Sequence, residues 1–530
     1  MLRRALPILL ICSLACGKRD REPTAPPVPA DQGDPAGDVP SAGGLRLVVL
    51  VVIDQLPAWS FAQDEPYLRG GLARILREGI YWPEARYPYA STFTGPGHAA
   101  LSTGAPPAVT RVLGNAWWRR DLGREVEAIE DPDSPTLVIG EAKGRLDGIS
   151  GAALAVDGIA DVLRGARPGA RSIAIGLKDR AVCMVAGKHP DLAIWYEPAL
   201  AAMTTSRYYA AAPPAWLVKL HDEHPVRARF DYAWTPLDAA LLARITGEPD
   251  DAPGEGGAEG LGPTFPHPLA GLADPAEAIV VTPAGTEIML ETVQAALTAE
   301  QLGADDLPDL LALTFSGHDY AGHAWGQNSW ERTDLLLRLD RSLAGLLDTL
   351  DHQVGAGRWA LILAADHGAA RTVEQQRAAG KPAYRLGYGQ LVAAADAAAV
   401  KALGGKKGPW AVDFASNSVY FGPKLAALPA ADATRARAAM VAGLRKVPGV
   451  AWAELTDEIL ARCDAADVTA SEHAACLSIA PGLSGDIFVQ PAPDSLIAAD
   501  KYAAGTAHGS MNPDDTTIPL ALLAPGLRPR

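Results

Sequence analysis

The chain has 530 residues, a formal net charge of −15, 48% hydrophobic residues and 21% charged residues. That balance describes a globular protein with a large core and excludes a disordered chain or a polytopic membrane protein. The acidic total lacks the basic footprint of a general nucleic-acid binder, yet it permits a local cationic site for a small anion inside a cleft.

Residues 1–16 read as an export signal: Arg3 and Arg4 form a basic start, Ala5 to Leu14 an apolar run, and Ser13 to Cys16 a small-residue end. The run is too short to span a membrane comfortably. Cys16 is a candidate lipid anchor of the bacterial lipoprotein kind, although Ser13 stands where that pattern has Leu. The expected location is therefore the periplasm or cell envelope. Residues 17–44, rich in Pro, Asp, Gly and Ala, read as a flexible tether. The folded catalytic part is expected over 45–530.

It opens with Leu45 to Ile53, LRLVVLVVI, an aliphatic run apart from Arg46, of the kind that a strand buried on both faces requires. The run stops at Asp54. Ser172 to Leu177 runs into Lys178-Asp179-Arg180, Asp309 to Phe315 into Ser316-Gly317-His318-Asp319, and Trp359 to Ala365 into Asp366-His367. Helical patterns separate these runs, notably Gly285 to Leu302 and Trp330 to His352. The alternation predicts an α/β fold with a doubly wound, mostly parallel sheet and helices on both faces. In such sheets the ligand crevice lies at the carboxyl ends of the strands. The chemistry-bearing side chains after four strands thus fall on one edge.

Stretches of different texture interrupt the rhythm. Trp117 to Asp131 and the region from about 183 to 283 are richer in Trp, Tyr, Pro and Gly, with 250–271 especially loop-like. The region from about 369 to 484 carries alanine-rich helical patterns such as Ala430 to Leu444. Both long regions read as cap insertions over the site. A strand pattern at Asp486 to Gln490 precedes His508-Gly509-Ser510, and Ile518 to Leu523 is a plausible last strand. None of the five cysteines shows CxxC spacing, so any metal falls to His and carboxylate ligands. Cys463 and Cys476 could close a short disulfide in an oxidising compartment, and Cys183 reads as a buried thiol.

Asp319 and His323, four residues apart, share a face of a helical turn and can grip one ion. Asp366 and His367 are an adjacent pair at a strand end. With Asp54 and His508 they supply six N/O ligands, enough for two zinc-like ions with three protein groups each; such a set also admits Mn or Fe. His318 is a rival to Asp319, while His98 and the remaining histidines lack strand-end placement. Upstream, Ser91-Thr92-Phe93-Thr94-Gly95-Pro96-Gly97-His98 sets two threonine hydroxyls beside a turn whose amides can face an anion.

Taken in order, the strand ending in Asp54, Thr94-Gly95-Pro96-Gly97-His98 with Thr103-Gly104, Gly114-Asn115, Lys178-Asp179-Arg180, Asp319 to His323, Asp366-His367-Gly368 and His508-Gly509-Ser510 resemble the alkaline phosphatase superfamily. The resemblance is to its branch with a threonine nucleophile, the bacterial zinc-dependent phosphate monoesterases, related to type I phosphodiesterases and nucleotide pyrophosphatases. It implies one metal on Asp319, His323 and His508 and a second on Asp54, Asp366, His367 and the Thr94 oxygen. It also selects Thr94 over Thr92 as the nucleophile that forms a phosphothreonine, and gives Asn115, Lys178 and Arg180 the phosphoryl oxygens. The Lys-x-Arg pair suits a monoester dianion, which carries one more negative charge than a diester. Small phosphate monoesters are the expected substrates. The alternatives are a phosphodiesterase or nucleotide pyrophosphatase on the same fold, and a surface lipoprotein that binds ligand without turnover.

Overall fold

The computed structural model describes residues 44–500 and 503–529. The expected signal at 1–16, the candidate anchor Cys16 and all of the tether but Gly44 lie outside the described residues. Eight strands form the main sheet: β1 (Leu47–Ile53), β2 (Ile80–Arg86), β3 (Ser172–Gly176), β4 (Leu192–Glu197), β5 (Ala202–Thr204), β6 (Asp309–Phe315), β7 (Trp359–Ala364) and β8 (Thr517–Leu523). Their order is β2-β8-β7-β1-β6-β3-β4-β5. The five strands from β7 to β4 are mutually parallel. At the margins β8 and β5 run antiparallel to their neighbours.

β1 shows why an unbroken aliphatic run is needed at the centre. Leu47, Val49, Val51 and Ile53 enter one apolar cluster, while Leu50 and Val52 enter another on the opposite face. Each such side chain, fully removed from water, contributes about 1.5–3 kcal/mol before the entropy of ordering it is subtracted. The first cluster takes in helices α3 (Pro283–Ala299) and α5 (Trp330–Leu350) through Met289, Val293, Leu336 and Leu343. The second takes in α1 (Thr94–Thr103) and α2 (Asp179–Ala186) through Ala99, Val182 and Val185. The sheet is therefore covered on both sides.

Register brings the strand ends level. Ile53 pairs with Phe315, Val52 with Ala364, and Thr314 with Gly176. The residues that follow (Asp54, Asp366, Lys178, and Asp319 on α4, Gly317–Trp325) consequently meet at one edge.

Two expected boundaries move. The first cap does not begin near 183, because α2 and the strands β4 and β5 belong to the main sheet layer. LAIWYE, with its Trp and Tyr, is buried throughout except at Glu197; large aromatics here fill a sheet core, not a lid. The second insertion runs past 484. It holds an antiparallel four-stranded sheet of Ala411–Ala415, Ser418–Phe421, Ile487–Pro491 and Val450–Leu455. The strand expected at 486–490 belongs to that sheet. The expected helix at 430–444 is present as Ala430–Leu444, packed with Tyr388–Ala402 over a separate apolar cluster. Cys463 and Cys476 form a disulfide with Cα atoms 5.9 Å apart, and Cys183 is a buried free thiol. Among the described residues no helix is long and apolar enough to cross a membrane.

Candidate metal centre

Six of the expected ligands fall into two groups. Asp319, His323 and His508 have ligand atoms within 4.8 Å of one another, and so do Asp54, Asp366 and His367. The second group is fully buried at the ends of β1 and β7. The first lines a cavity of about 610 Å³ together with Thr94, Asn115, Lys178 and Arg180. Residues of both insertions reach the cavity wall, among them Gly257 to Glu259, Tyr388 and Ile497.

The three histidines are oriented alike. Nδ1 of His323 lies 2.9 Å from Thr506 O, that of His367 3.0 Å from Gly368 O, and that of His508 2.7 Å from Thr92 O. A carbonyl only accepts, so each ring carries its proton on Nδ1 and turns Nε2 toward the carboxylates. His323 Nε2 is 3.3 Å and His508 Nε2 3.6 Å from Asp319 Oδ1. His367 Nε2 is 3.2 Å from Asp366 Oδ2 and 3.6 Å from Asp54 Oδ1. Asp54 Oδ1, Asp366 Oδ2 and His367 Nε2 are buried with no hydrogen-bond partner. Orphaned ligand atoms that converge in this way fit a divalent cation.

The charges point the same way. Burial, then the neighbouring Asp319 and Asp366, push the Asp54 carboxyl up to about 7. For Asp319, burial opposes ionisation, but His323 and Lys178 outweigh it and hold the group well below the carboxylate range. Burial would lower His367, yet Asp366 and Asp54 carry it up to about 9. Three buried carboxylates drawing protons and cations toward themselves are the electrostatic signature of a site built around positive charge.

Lys178 sits between the groups. Its buried ammonium donates to Asp54 Oδ2 at 2.9 Å and to Asp319 Oδ2, and lies 4.7 Å from the centroid of the Tyr320 ring. Burial would depress its pKa; the two carboxylates reverse that and keep it charged. Arg180, two residues on in α2, lines the same cavity. The strand-to-helix turn thus brings two cations to the cavity wall.

Thr94 is the first residue of α1, with the helix N-terminal dipole behind it and no acidic residue in the first turn. Asn115 Oδ1 accepts from Gly95 N at 2.8 Å, which fixes the asparagine against this turn. The helix approaches the end of β7 so closely that a Cβ on Gly97 would lie 2.3 Å from Asp366 O. Thr92 is differently placed. It is fully buried and its hydroxyl donates to Ser510 O at 2.7 Å, away from the cavity lining. His318 is buried outside both ligand groups, and burial lowers its pKa to about 3.

Two contributors escaped the sequence reading. His98, which lacks strand-end placement, has Nδ1 3.0 Å from Thr94 O and 3.2 Å from Asp366 Oδ2. Gln55 donates its backbone N–H to Asp366 and its side-chain amide to Asp319. The adjacency of Gln55 to Asp54 was the one available hint.

Known proteins carry the same frame. The type I phosphodiesterase / nucleotide pyrophosphatase family matches residues 48–426. Alkaline phosphatase PafA of Elizabethkingia meningoseptica is 29% identical over 496 residues, covering 91% of this chain and 87% of PafA. Alkaline phosphatase PhoV of Synechococcus elongatus is 31% identical over 331 residues, and that match spans 61% of this chain and 59% of PhoV. A protein of Myroides odoratus named calcium-transporting ATPase is 29% identical over 504 residues, 91% of this chain and 88% of that protein. The crystal structure of wild-type PafA superposes with a TM-score of 0.81 at 28% identity, covering 93% of this chain and 92% of that one. With its alkaline-phosphatase-like α/β fold, the chain belongs to the type I phosphodiesterase / nucleotide pyrophosphatase family of phosphoric ester hydrolases.

Proposed function

We propose that the protein is an exported, metal-dependent phosphate monoesterase that works through a phosphothreonine at Thr94. The observation that carries this reading is a pair of His/Asp groups, one buried at the strand ends and one lining a cavity that also holds a helix-terminal threonine and a Lys/Arg pair. The alkaline phosphatase relatives support phosphate esters as substrates, and the two ligand groups support divalent ions as cofactors.

Asp319, His323 and His508 would hold one ion, and Asp54, Asp366 and His367 the other; zinc is the ion we assign. Ions held there supply Lewis-acid stabilisation of charge on the attacking and leaving oxygens. The chain does the remaining work. Thr94 Oγ forms a bond to phosphorus as the ester P–O bond breaks, releasing the alcohol. Water then cleaves the Oγ–P bond, returning the hydroxyl and releasing phosphate. Because Asn115 Oδ1 is engaged by Gly95 N, its NH2 is the group left to donate to a phosphoryl oxygen. Arg180 offers a forked donor and Lys178 a point charge to the extra negative charge of a monoester.

A phosphodiesterase on the same site is the second reading, favoured by the family match over residues 48–426. Comparing kcat/KM for p-nitrophenyl phosphate and methyl p-nitrophenyl phosphate separates the two, alongside the zinc content of the purified protein. We expect the monoester to be preferred by about 10- to 100-fold, the worth of one charge-assisted hydrogen bond. A diester preference would overturn the assignment. Export is supported by the sequence of residues 1–16, with Cys16 as the anchor we assign, and by the Cys463–Cys476 disulfide, which suits an oxidising compartment.

A further inference from the structure

Gln55 immediately follows the ligand Asp54 and is fully buried. It adopts φ 58°, a left-handed conformation that side chains other than Gly, Asn and Asp rarely take. That conformation has a consequence for both ligand groups. The backbone N–H of Gln55 donates to Asp366 Oδ1 at 3.0 Å, in the group with Asp54 and His367. Its side-chain Nε2 donates to Asp319 Oδ1 at 2.6 Å, in the group with His323 and His508. One residue therefore touches a carboxylate of each group, through different atoms.

The side chain is itself held. Gln327 Nε2 donates to Gln55 O at 3.0 Å and to Gln55 Oε1 at 2.6 Å. The carbonyl of Gln327 in turn accepts from Arg332 Nε at 2.8 Å, and Arg332 is paired with Asp64 in the fully buried layer behind. Helix α4 makes room for this clamp. Gly322 lies between the ligands Asp319 and His323, and a Cβ there would sit 1.9 Å from Gln55 Oε1 and 2.6 Å from Gln327 Nε2. Any larger residue at 322 would expel the amide pair from the turn that carries two ligands.

We infer that Gln55 is a positioning residue that ties the two metal-binding groups together and fixes the Asp319 carboxylate for its ion. The inference rests on the dinuclear reading of the site. It assigns a reason to three features that ligand identity leaves unexplained: the left-handed Gln55, the Gln327 clamp and the missing side chain at 322. Groups that hold ligating residues from behind are commonly worth about 10- to 100-fold in metal affinity.

The test uses Gln55→Gly. Glycine accepts φ 58° without strain, so the variant keeps the backbone N–H on Asp366 and removes only the side-chain amide. Metal-stripped wild type and variant are titrated with Co2+, followed by visible absorption and competition with a chelator. We expect wild type to take up two equivalents. In Gln55→Gly the affinity of one equivalent should fall by about 10- to 100-fold, while the other is unchanged. Gln327→Ala should shift the same equivalent by less, with both variants melting near wild type. Two equivalents bound by both variants with wild-type affinity would overturn the role of Gln55. Wild type binding fewer than two would instead break the dinuclear reading.

Discussion

The main sheet and the cap sheet are made of similar apolar strands but do different work, and strand direction explains the difference. In the main sheet, β7, β1, β6, β3 and β4 run the same way, so their carboxyl ends lie on one edge. Whatever polar residues follow them are gathered into one site. In the cap sheet each neighbouring pair is antiparallel. Its strand ends alternate between two edges, and its polar residues are dispersed. The main-sheet edge gathers the two ligand groups, and Tyr388 and Ile497 from the second region stand in the cavity wall beside them.

The sharpest way to break this comparison is at the core edge. Thr94→Ala should lower kcat/KM on p-nitrophenyl phosphate on the order of 10³-fold or more while the melting temperature stays near wild type. Near-normal turnover would show that the core edge is not where the covalent chemistry happens. The next effect is on charge recognition. Lys178→Ala combined with Arg180→Ala should lower monoester kcat/KM by about 10- to 100-fold more than diester kcat/KM. Equal losses on the two substrates would mean that the cations hold the Asp54 and Asp319 carboxylates and do not read the substrate.

Two substitutions outside both ligand groups should leave turnover unchanged and move only stability. His267, in the first insertion, lies 2.9 Å from Glu331 Oε1 at the start of α5. Burial lowers His267 to about 4 and raises Glu331 to about 10, with Glu255 adding to the latter, so this contact is a neutral hydrogen bond at pH 7. A carboxyl whose folded pKa lies above its unfolded value of 4.5 stabilises the fold fully below the unfolded value. That contribution is lost as pH rises through the folded one. Glu331→Gln does not titrate, so its melting temperature relative to wild type should climb between pH 5 and pH 9, values chosen to bracket neutrality. A gap independent of pH would refute the neutral contact. For the second, Cys463→Ser removes a bridge between residues 13 apart in sequence. It should cost about 2–4 kcal/mol of unfolding free energy, read by denaturant melts, at constant kcat/KM.

The readable part of the molecule was the part governed by local pattern. LVVLVVI, Leu47–Ile53, declares a two-sided strand because every position is apolar, and Asp54, Lys178 and Asp366 stand out because they end such runs. The hydroxyl choice was not readable from spacing. What separates the two threonines is tertiary: Thr92 donates to Ser510, 418 residues away in sequence, while Thr94 opens α1 and lines the cavity. Gln55 was hidden for a similar reason. Its role depends on a left-handed backbone and on partners from α4 and the end of β7, none of which leaves a periodic trace. LAIWYE has the aromatic texture of the regions expected to be caps, whereas its pairing with β3 makes it a sheet strand.

The central claim is that Thr94 carries the phosphoryl group. The direct measurement is to mix zinc-loaded protein with p-nitrophenyl phosphate, quench in acid within one turnover, and map phosphate by peptide mass spectrometry. The account predicts phosphate on Thr94 in wild type and on no residue in Thr94→Ala. Turnover with no phosphorylated peptide, or phosphate on Thr92 instead, would contradict it.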